Sequence, residues 1–316
     1  MPDTKSAYAF PGVRAVKKRV GAAMRSGVLL ALMAALLWQN EAVGQAVRQG
    51  LALCARSVIP ALFPFFAAVS FAVDCGFFDM LRQLGLPRGT AVFLLGAVGG
   101  YPVGARTVGE LYRGGGLSRQ GALRLLSCCN NAGPSFILSL VGTGVFGSRR
   151  AGLALYGIHL LAAMAAGGLS GAFSAREDDP PRRGGRNVPA PNAAALFVSC
   201  VRHAALSMVH ICAFVVFFQA LTALIQAVWP ALPAAAAGIW ELTTGIAALS
   251  PSPAGFCTAA ALLGWGGVSV HCQTAAVLAD TDLPLGRYLA AKALQAAISA
   301  PLAWAVWPLL SGGGTL

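Results

Sequence analysis

Residues 125–148 read LLSCCNNAGPSFILSLVGTGVFGS, a stretch without a single Asp, Glu, Lys or Arg. Because a helix of about 20 apolar residues crosses a bilayer, the stretch is long enough to be a membrane segment. Two amides, Asn130 and Asn131, nevertheless stand together inside it, and Gly133-Pro134 follows them. Proline lacks an N–H and clashes with the preceding helical turn, so we expect the helix to be interrupted just after the amide pair.

Other parts of the chain are equally poor in charge. Glu241 is the only formally charged residue from 203 to 279, and residues 151–175 contain none. Charged residues make up 11% of the chain, against about 25% in an average soluble domain. These features predict an all-α polytopic membrane protein, embedded in the lipid bilayer, with helices near residues 26–40, 43–60, 62–81, 125–147, 150–173, 205–228, 231–249 and 285–310.

The net charge is +12, and groups of basic residues lie in two polar regions, with six in the first 25 residues and four in the loop at 174–192. Basic residues next to membrane segments mark cytoplasmic loops, so the charge indicates topology rather than binding of nucleic acid. We predict a basic cytoplasmic tail (1–25), a first membrane repeat (26–173), a cytoplasmic loop (174–192) and a second membrane repeat (193–316). Residues 26–40 also resemble a signal peptide, but a retained first helix is favoured.

Two regions are too short and too broken for ordinary spans. Around 89–124 and 253–283, arms of about a dozen apolar residues are interrupted by Gly99-Gly100 and by Gly266-Gly267. Such segments are typical of re-entrant hairpins or broken helices. One ungapped shift places the first glycine pair on the second, which suggests an internal repeat. The first region is basic and the second acidic, so we expect the hairpins to enter from opposite sides, as in an inverted repeat.

The first candidate site is GGYPVGARTVGE, residues 99–110. A helix that begins near Tyr101 would expose unpaired N–H groups, which attract a carboxylate. Arg106 is either a ligand of that carboxylate or the partner of Glu110, four residues later.

The second candidate site is the amide pair itself, with Ser135 beyond the break. Unsatisfied amides are costly in lipid, so Asn130 and Asn131 should face protein, water or a solute. The alternative is an amide clamp between helices, next to an ordinary proline kink.

The third candidate is ELTTG, residues 241–245, where Glu241 and Thr243 could bind a solute. A carboxylate inside a membrane segment is a functional candidate, and Glu241 could also carry a coupling H⁺ or Na⁺. The alternative is a pair with a nearby histidine, or a position at the membrane interface.

The fourth candidate is GGVSVHCQT, residues 266–274. Alternation of polar and apolar residues favours an extended arm with Ser269, His271 and Gln273 on one side. On a helix, Ser269 and Gln273 alone would share a face.

The eight cysteines show no zinc or disulfide spacing, no metal site or cofactor is expected, and enzyme motifs such as G-x-S-x-G are missing. We therefore do not expect an enzyme.

Four motifs together resemble the YlbJ-type sporulation integral membrane proteins, within the wider nucleoside-recognition (Gate) group. They are GGYPVGARTVGELYRGG, LLSCCNNAGPSFILSLVGTGVFGS, WELTTG and GGVSVHCQTAAVLADTDL. The resemblance covers roughly residues 45–310. It implies a transporter that moves dipicolinate across the outer forespore membrane during sporulation, in a bacterial cell membrane, with broken hairpins similar to those of concentrative nucleoside transporters.

From the residues and the resemblance together we predict a solute site between the two hairpins. Its expected lining is Tyr101, Arg106, Asn130, Asn131, Ser135, Glu241, Thr243, Ser269 and Gln273. The alternatives are a nucleoside transporter and a non-transporting scaffold or sensor for assembly of the spore envelope. The sequence leaves open the substrate, the coupling ion and whether the protein forms a homo-oligomer.

Overall fold

The computed structural model describes residues 11–76, 80–81, 83–171 and 192–311. Within these ranges all regular structure is helical, which confirms an all-α polytopic membrane protein. Four of the described helices are long and apolar enough to cross a membrane, or five if a pair that bends by 87° near Gln39 forms one span. Most of the predicted cytoplasmic loop, and residues 1–10 of the predicted tail, lie outside the described residues.

Side chains that accept hydrogen bonds from free N–H groups begin several of the helices: Ser118, Ser148, Asn192 and Ser252. The α-helices are α1 (Pro11–Trp38), α2 (Asn40–Leu53), α3 (Ile59–Asp74), α4 (Arg88–Gly99), α5 (Val103–Arg113), α6 (Arg119–Cys129), α7 (Arg149–Leu169), α8 (Ala193–Val228), α9 (Leu242–Ala247), α10 (Pro253–Trp265), α11 (Gly267–Val277) and α12 (Gly286–Ser311). π-Helices at Cys54–Val58 and Phe136–Val145 and a 3₁₀ helix at Ala234–Ile239 complete the described order.

The first hairpin, α4 and α5, reverses direction at Gly100, whose φ of 76° favours glycine. At its open end, Arg88 donates to the carbonyl of Gly116 over 2.6 Å. Near its tip the glycines of the two arms lie so close that a Cβ on Gly96 would reach the Cα of Gly104 at 3.3 Å. A helical hairpin is therefore present within the region 89–124, where one was predicted.

The first interrupted helix, named the first broken span here, consists of α6 and the π-helix Phe136–Val145, separated by four non-helical residues, 130–133. Its π-helix is apolar but, at ten residues, too short to cross a bilayer alone. The predicted interruption inside the segment 125–147 is thus present, but its position differs. The helix ends before the amide pair rather than after it, because Asn131 uses its side chain to donate to the carbonyl of Cys128. Helical structure resumes at Pro134, a residue that suits a first turn.

A second hairpin lies at residues 234–247, where a single helix over 231–249 was predicted. The 3₁₀ helix and α9 fold back on each other, with Gly245 against Gly238 and Trp240-Glu241 at the tip. The chain does not form one continuous helix here, for two reasons. Gly245 lies directly against Gly238, and the carboxylate of Glu241 caps the start of a new helix. The sequence-based boundaries therefore missed this hairpin.

The second broken span, α10 and α11, replaces the hairpin that was predicted for 253–283. Gly266 and Gly267, with φ of 91° and 82°, interrupt the helix, but the chain continues past them along α12. Phe256 meets Trp307 with ring centroids 5.3 Å apart, and further along His271 meets Tyr288 at the same separation. Residues 253–277 together have the length and apolarity of one membrane crossing.

The two broken spans run in opposite directions. Arg119, at the start of the first, binds Asp282, just beyond the end of the second, over 2.9 Å. At the other end, Phe146 of the first packs against Phe256 near the start of the second, with centroids 5.6 Å apart. The hairpins accordingly open at opposite ends. The glycine-to-glycine shift does not match this arrangement, because it pairs a reversal with a continuing break. A symmetric inverted repeat stays a prediction.

Helices α2, α3 and α8 pack together beside this core. Cys54 and Val58, in the π-helix between α2 and α3, pack against Met208 and Ile211 of α8. A π-helix shifts the register of the side chains that follow it, and such segments occur often at functional sites. Val58 and Ile211 thereby reach the centre of the molecule, where both hairpins end.

Candidate functional site

Both hairpin tips, the first break and the first turns of α11 surround one central cavity of about 50 Å³. This volume holds a few water molecules and is far below the ~300–1,000 Å³ of a usual ligand pocket. The cavity is therefore too small for such a ligand in this conformation. Its lining includes Gly100 and Tyr101 from the first tip, Ala132 and Gly133 from the first break, Glu241 and Thr243 from the second hairpin, and Ser269 and Gln273 from α11.

Tyr101 joins the first hairpin to the second broken span. Its hydroxyl donates to the carbonyl of Leu263 over 2.9 Å, one turn before the glycine break. A Cβ on Gly266 would approach the same hydroxyl at 3.2 Å, so a glycine there leaves room for the tyrosine. Movement of the first tip must therefore break this contact with α10.

Glu241 lines the cavity and at the same time caps α9. Its side chain accepts from the backbone N–H of Thr243 over 3.0 Å and from the N–H and hydroxyl of Thr244 over 2.5 and 2.6 Å. The residue is 1% exposed. These bonds satisfy donors that would otherwise be unpaired at the start of a buried helix.

Ser269 and Gln273 lie one helical turn apart on α11 and both line the cavity. The predicted extended arm is therefore wrong, and the helical alternative is correct. His271, between them in sequence, points away and contacts the hydroxyl of Tyr288 over 3.1 Å. The segment is helical despite its alternating pattern, because the positive φ angles of Gly266 and Gly267 form a turn from which a new helix begins.

Arg106 and Ser135 lie outside the central cavity. Arg106 binds Glu110 over 2.8 Å, and both side chains are substantially exposed. They border a second cavity of about 330 Å³, together with His203 and His210 of α8. Ser135 is partly buried at the beginning of the π-helix. The alternative of an Arg106–Glu110 pair therefore describes the geometry better than a direct ligand in the central cavity.

Asn130 and Asn131 are fully buried behind the cavity rather than in its wall. Asn130 donates to the hydroxyls of Thr274 and Tyr288 over 2.9 and 3.1 Å. Among the residues that the structure describes, its side-chain oxygen has no hydrogen-bond partner. The amides thus connect the first break to α11 and α12.

The sequence analysis missed a buried polar stripe on α12, at Tyr288, Lys292, Gln295 and Ser299. Lys292 donates to the backbone carbonyl of Asn130 over 3.1 Å and to the side-chain oxygen of Gln295 over 2.6 Å. His159 of α7 accepts the N–H of Ala132 on the far side of the same break. The spacing of four, three and four residues on one helical face was a readable signal in an otherwise apolar helix.

A third cavity, of about 630 Å³, lies at the end of the molecule where the second hairpin opens. Arg56, Ser57 and Ser139 border it together with Ala247. The cavity next to Arg106 lies at the opposite end and shares Ile211 and Gln273 with the central one. The small central cavity is therefore placed between two wider ones.

Polar contacts join α5 and α6 to the segment that follows α11, at the end where the first hairpin opens. Arg113 binds Asp280 over 2.7 Å, and Asp282 accepts from Tyr112 and Arg119 over 2.6 and 2.9 Å. The hydrogen bond from Tyr112, followed by that from Arg119, holds the pKa of Asp282 below its usual range. The same bond raises the pKa of Tyr112.

The cysteines among the described residues are free thiols. Cys128 and Cys129 are buried in α6, with their sulfur atoms 3.7 Å apart. The described part of the chain contains no group of three or more His, Cys, Asp or Glu side chains placed to hold a metal ion. Packing of small side chains against neighbouring helices is what these cysteines contribute.

Comparison with known proteins yields one informative likeness. The chain is 22% identical to the sporulation integral membrane protein YlbJ of Bacillus subtilis (strain 168), over 92% of this chain and 83% of that protein. No family model matches the chain. No solved structure matches it either. The likeness supports an integral membrane protein related to sporulation proteins of the YlbJ kind, and the Gate group remains a sequence-based prediction.

Proposed function

We propose that this protein is a membrane transporter of a small polar or anionic solute. The observation that carries the proposal is the arrangement of two oppositely opening hairpins and two broken spans around one small central cavity, with a wider cavity at each end. Secondary transporters typically bind solutes near the bilayer midplane between interrupted helices. A scaffold would have no need for polar side chains around a central cavity.

Dipicolinate is the solute that we propose first, for movement across the outer forespore membrane during sporulation. The similar Bacillus subtilis protein is named for sporulation, which supports the setting. The start of α11 has no side-chain cap, although the N–H of Ser269 donates to the carbonyl of Trp240 over 2.8 Å, and Ser269 and Val270 bring that helix end to the cavity wall. Because helix N-termini favour negative charge, they suit a carboxylate. Lys292 lies 5.3 Å behind the ring of Tyr101 and adds positive charge.

A nucleoside is the second candidate, and the carboxylate of Glu241 in the cavity wall favours it. Glu241, Ser269 and Gln273 offer the acceptors and donors that hydroxyl groups need. Arg106, the residue predicted to recognise a carboxylate, borders the outer cavity instead. Competition between the two solutes decides between these substrates.

The test is uptake of labelled dipicolinate and labelled uridine into proteoliposomes that contain the purified full-length chain. Gln273→Ala is expected to lower uptake of the true substrate about tenfold or more, because a buried hydrogen bond to a solute is worth about 1.5 kcal/mol. The matched control is Thr258→Ala on α10, whose exposed hydroxyl only bonds its own helix. If neither solute is taken up and neither shifts the unfolding temperature, the scaffold alternative stands and the proposal is wrong.

Proton coupling through Glu241 belongs to the same proposal. The carboxylate of Glu241 lies in the cavity wall, so its charge would act directly on a solute bound there. Uptake by Glu241→Gln is expected to lose its dependence on a pH gradient while keeping its dependence on solute concentration. A variant with an unchanged pH response would remove Glu241 from the coupling mechanism.

We also propose that the N-terminus and the loop at 174–192 face the cytoplasm, because basic residues are concentrated in both. Protease treatment of sealed vesicles of known orientation, followed by detection of tags placed in each segment, measures this directly. Cleavage of the loop from the extracellular face would contradict the orientation.

A further inference from the structure

Lys292 is a buried lysine whose amine donates to a backbone carbonyl and to an amide oxygen. It is 1% exposed. Among the described residues, no carboxylate oxygen lies within 4.0 Å of its nitrogen. An isolated charge is costly inside a membrane protein, and such residues face the bundle interior and bind one another or backbone carbonyls. Lys292 follows the second of these patterns.

The surroundings of the ammonium are those of a small cation site. One oxygen is the backbone carbonyl of Asn130, which the break in the first span leaves free for an outside partner. The other oxygen belongs to Gln295, and the ring of Tyr101 presents its face with its centroid 5.3 Å from the nitrogen. Unwound carbonyls coordinate Na⁺ in many transporters, and aromatic faces attract cations.

The contacts of Lys292 also connect the parts that would have to move. Asn130 belongs to the first broken span, and Tyr101 forms the tip of the first hairpin. Gln295 and Lys292 belong to α12, which packs along the second broken span. A cation at this point therefore ties the first hairpin and the first break to the second half of the molecule.

We propose that the ammonium of Lys292 occupies the place of a coupling metal cation, so that this protein binds and moves its solute without sodium. The sodium independence of uptake rests on the proposed transport function. The cation site itself does not, because it is a property of the folded chain.

Two variants separate a vacant cation site from a filled one. Lys292→Ala removes the ammonium and leaves space beside the Asn130 carbonyl and the Gln295 oxygen. Lys292→Met also removes the charge but fills most of that space with an apolar chain. Ser299→Ala is the matched control, because Ser299 lies on the same face of α12 and its hydroxyl bonds only the backbone of Gln295.

The first measurement is thermal unfolding of the full chain in detergent, with equal concentrations of NaCl, LiCl, KCl or choline chloride. For Lys292→Ala, a small metal cation is expected to raise the midpoint by about 2–4 °C over choline, since a ligand that binds only the folded state stabilises it. The wild type, Lys292→Met and Ser299→Ala are expected to show no difference between metal and choline salts. A folded Lys292→Ala protein with equal midpoints in all four salts would overturn the proposal.

The second measurement needs no variant. Uptake of the transported solute by the wild type is expected to be equal in sodium and in choline buffers. A loss of uptake when sodium is removed, or a midpoint of the wild type that rises with sodium, would overturn the proposal even if Lys292→Ala failed to fold. If no solute is taken up in either buffer, the proposed function fails, while the thermal comparison still decides the cation site.

Discussion

Glu241 combines a structural task with a place in the cavity wall. Because its carboxylate accepts three hydrogen bonds at the start of α9, the residue stabilises the tip of the second hairpin whether or not it binds a solute. A loss of transport in Glu241→Ala would therefore not by itself reveal a role in binding.

Stability measurements separate the two tasks at this residue. Glu241→Ala is expected to lower the free energy of unfolding by about 1–2 kcal/mol, the usual value of a lost helix cap. Glu241→Gln keeps one acceptor oxygen and should lose about half as much. Chemical denaturation in detergent measures both, and Glu110→Gln, at an exposed position, serves as a control within about 0.5 kcal/mol. Equal stability of Glu241→Ala and the wild type would mean that the cap contributes nothing.

At the scale of elements, the first hairpin depends on two glycines that admit the neighbouring backbone. A Cβ on Gly96 or on Gly104 would overlap the carbonyl oxygen of Cys129, at the end of α6. That atom belongs to the main chain and cannot move away by a change of rotamer. Gly96→Ala and Gly104→Ala are therefore each expected to lower the free energy of unfolding by about 3 kcal/mol. Denaturation in detergent tests this against Gly157→Ala on α7, where a Cβ meets nothing within 4 Å.

The stability of the control Gly157→Ala decides how losses of stability at Gly96 and Gly104 are interpreted. Gly157→Ala should leave stability unchanged or raise it by up to about 1 kcal/mol, through the better helix propensity of alanine. Similar losses at Gly157 and at Gly104 would indicate a general sensitivity to alanine rather than a close approach of the hairpin to α6.

The hydrogen bonds that Tyr112 of α5 and Arg119 of α6 donate to Asp282 predict that the stability of the folded protein depends on pH in the acid range. Since the folded state lowers the pKa of Asp282, the stabilisation is complete above the ordinary value near 3.8 and is lost as the pH falls through the lower folded value. The wild type is therefore expected to lose stability below about pH 4 more steeply than Asp282→Asn. Thermal midpoints from pH 7 to pH 3 measure the difference, and parallel curves would contradict the role of this carboxylate.

Some of these elements were predictable from the chain, and the reasons differ from case to case. The isolation of Glu241 and the spacing of Ser269 and Gln273 are local signals, and both led to the cavity. The glycine pair at 266–267 is ambiguous, because glycines permit either a reversal or a continuing break. Only packing against α12 decides between them. Lys292 went unpredicted because α12 was interpreted as a plain membrane span.

For the whole molecule, the central question is whether the two outer cavities open in turn. The central cavity is small, and the contacts of Tyr101 and Lys292 hold the first tip against the second half. A transporter of this form has to loosen those contacts for access from one end and keep them for access from the other. A scaffold has no such requirement, so the two function classes differ in a measurable motion.

Single cysteines in the outer cavities report that motion. Ser207→Cys borders the cavity beside Arg106, and Ser139→Cys borders the cavity at the opposite end. If access alternates, solute should change the labelling rates by a thiol reagent in opposite directions, because a shift toward one open state depletes the other. The chain with its native cysteines, which include the exposed Cys75, gives the background rate. Rates that stay constant with solute, in a protein that binds that solute, would contradict alternating access and favour a sensor.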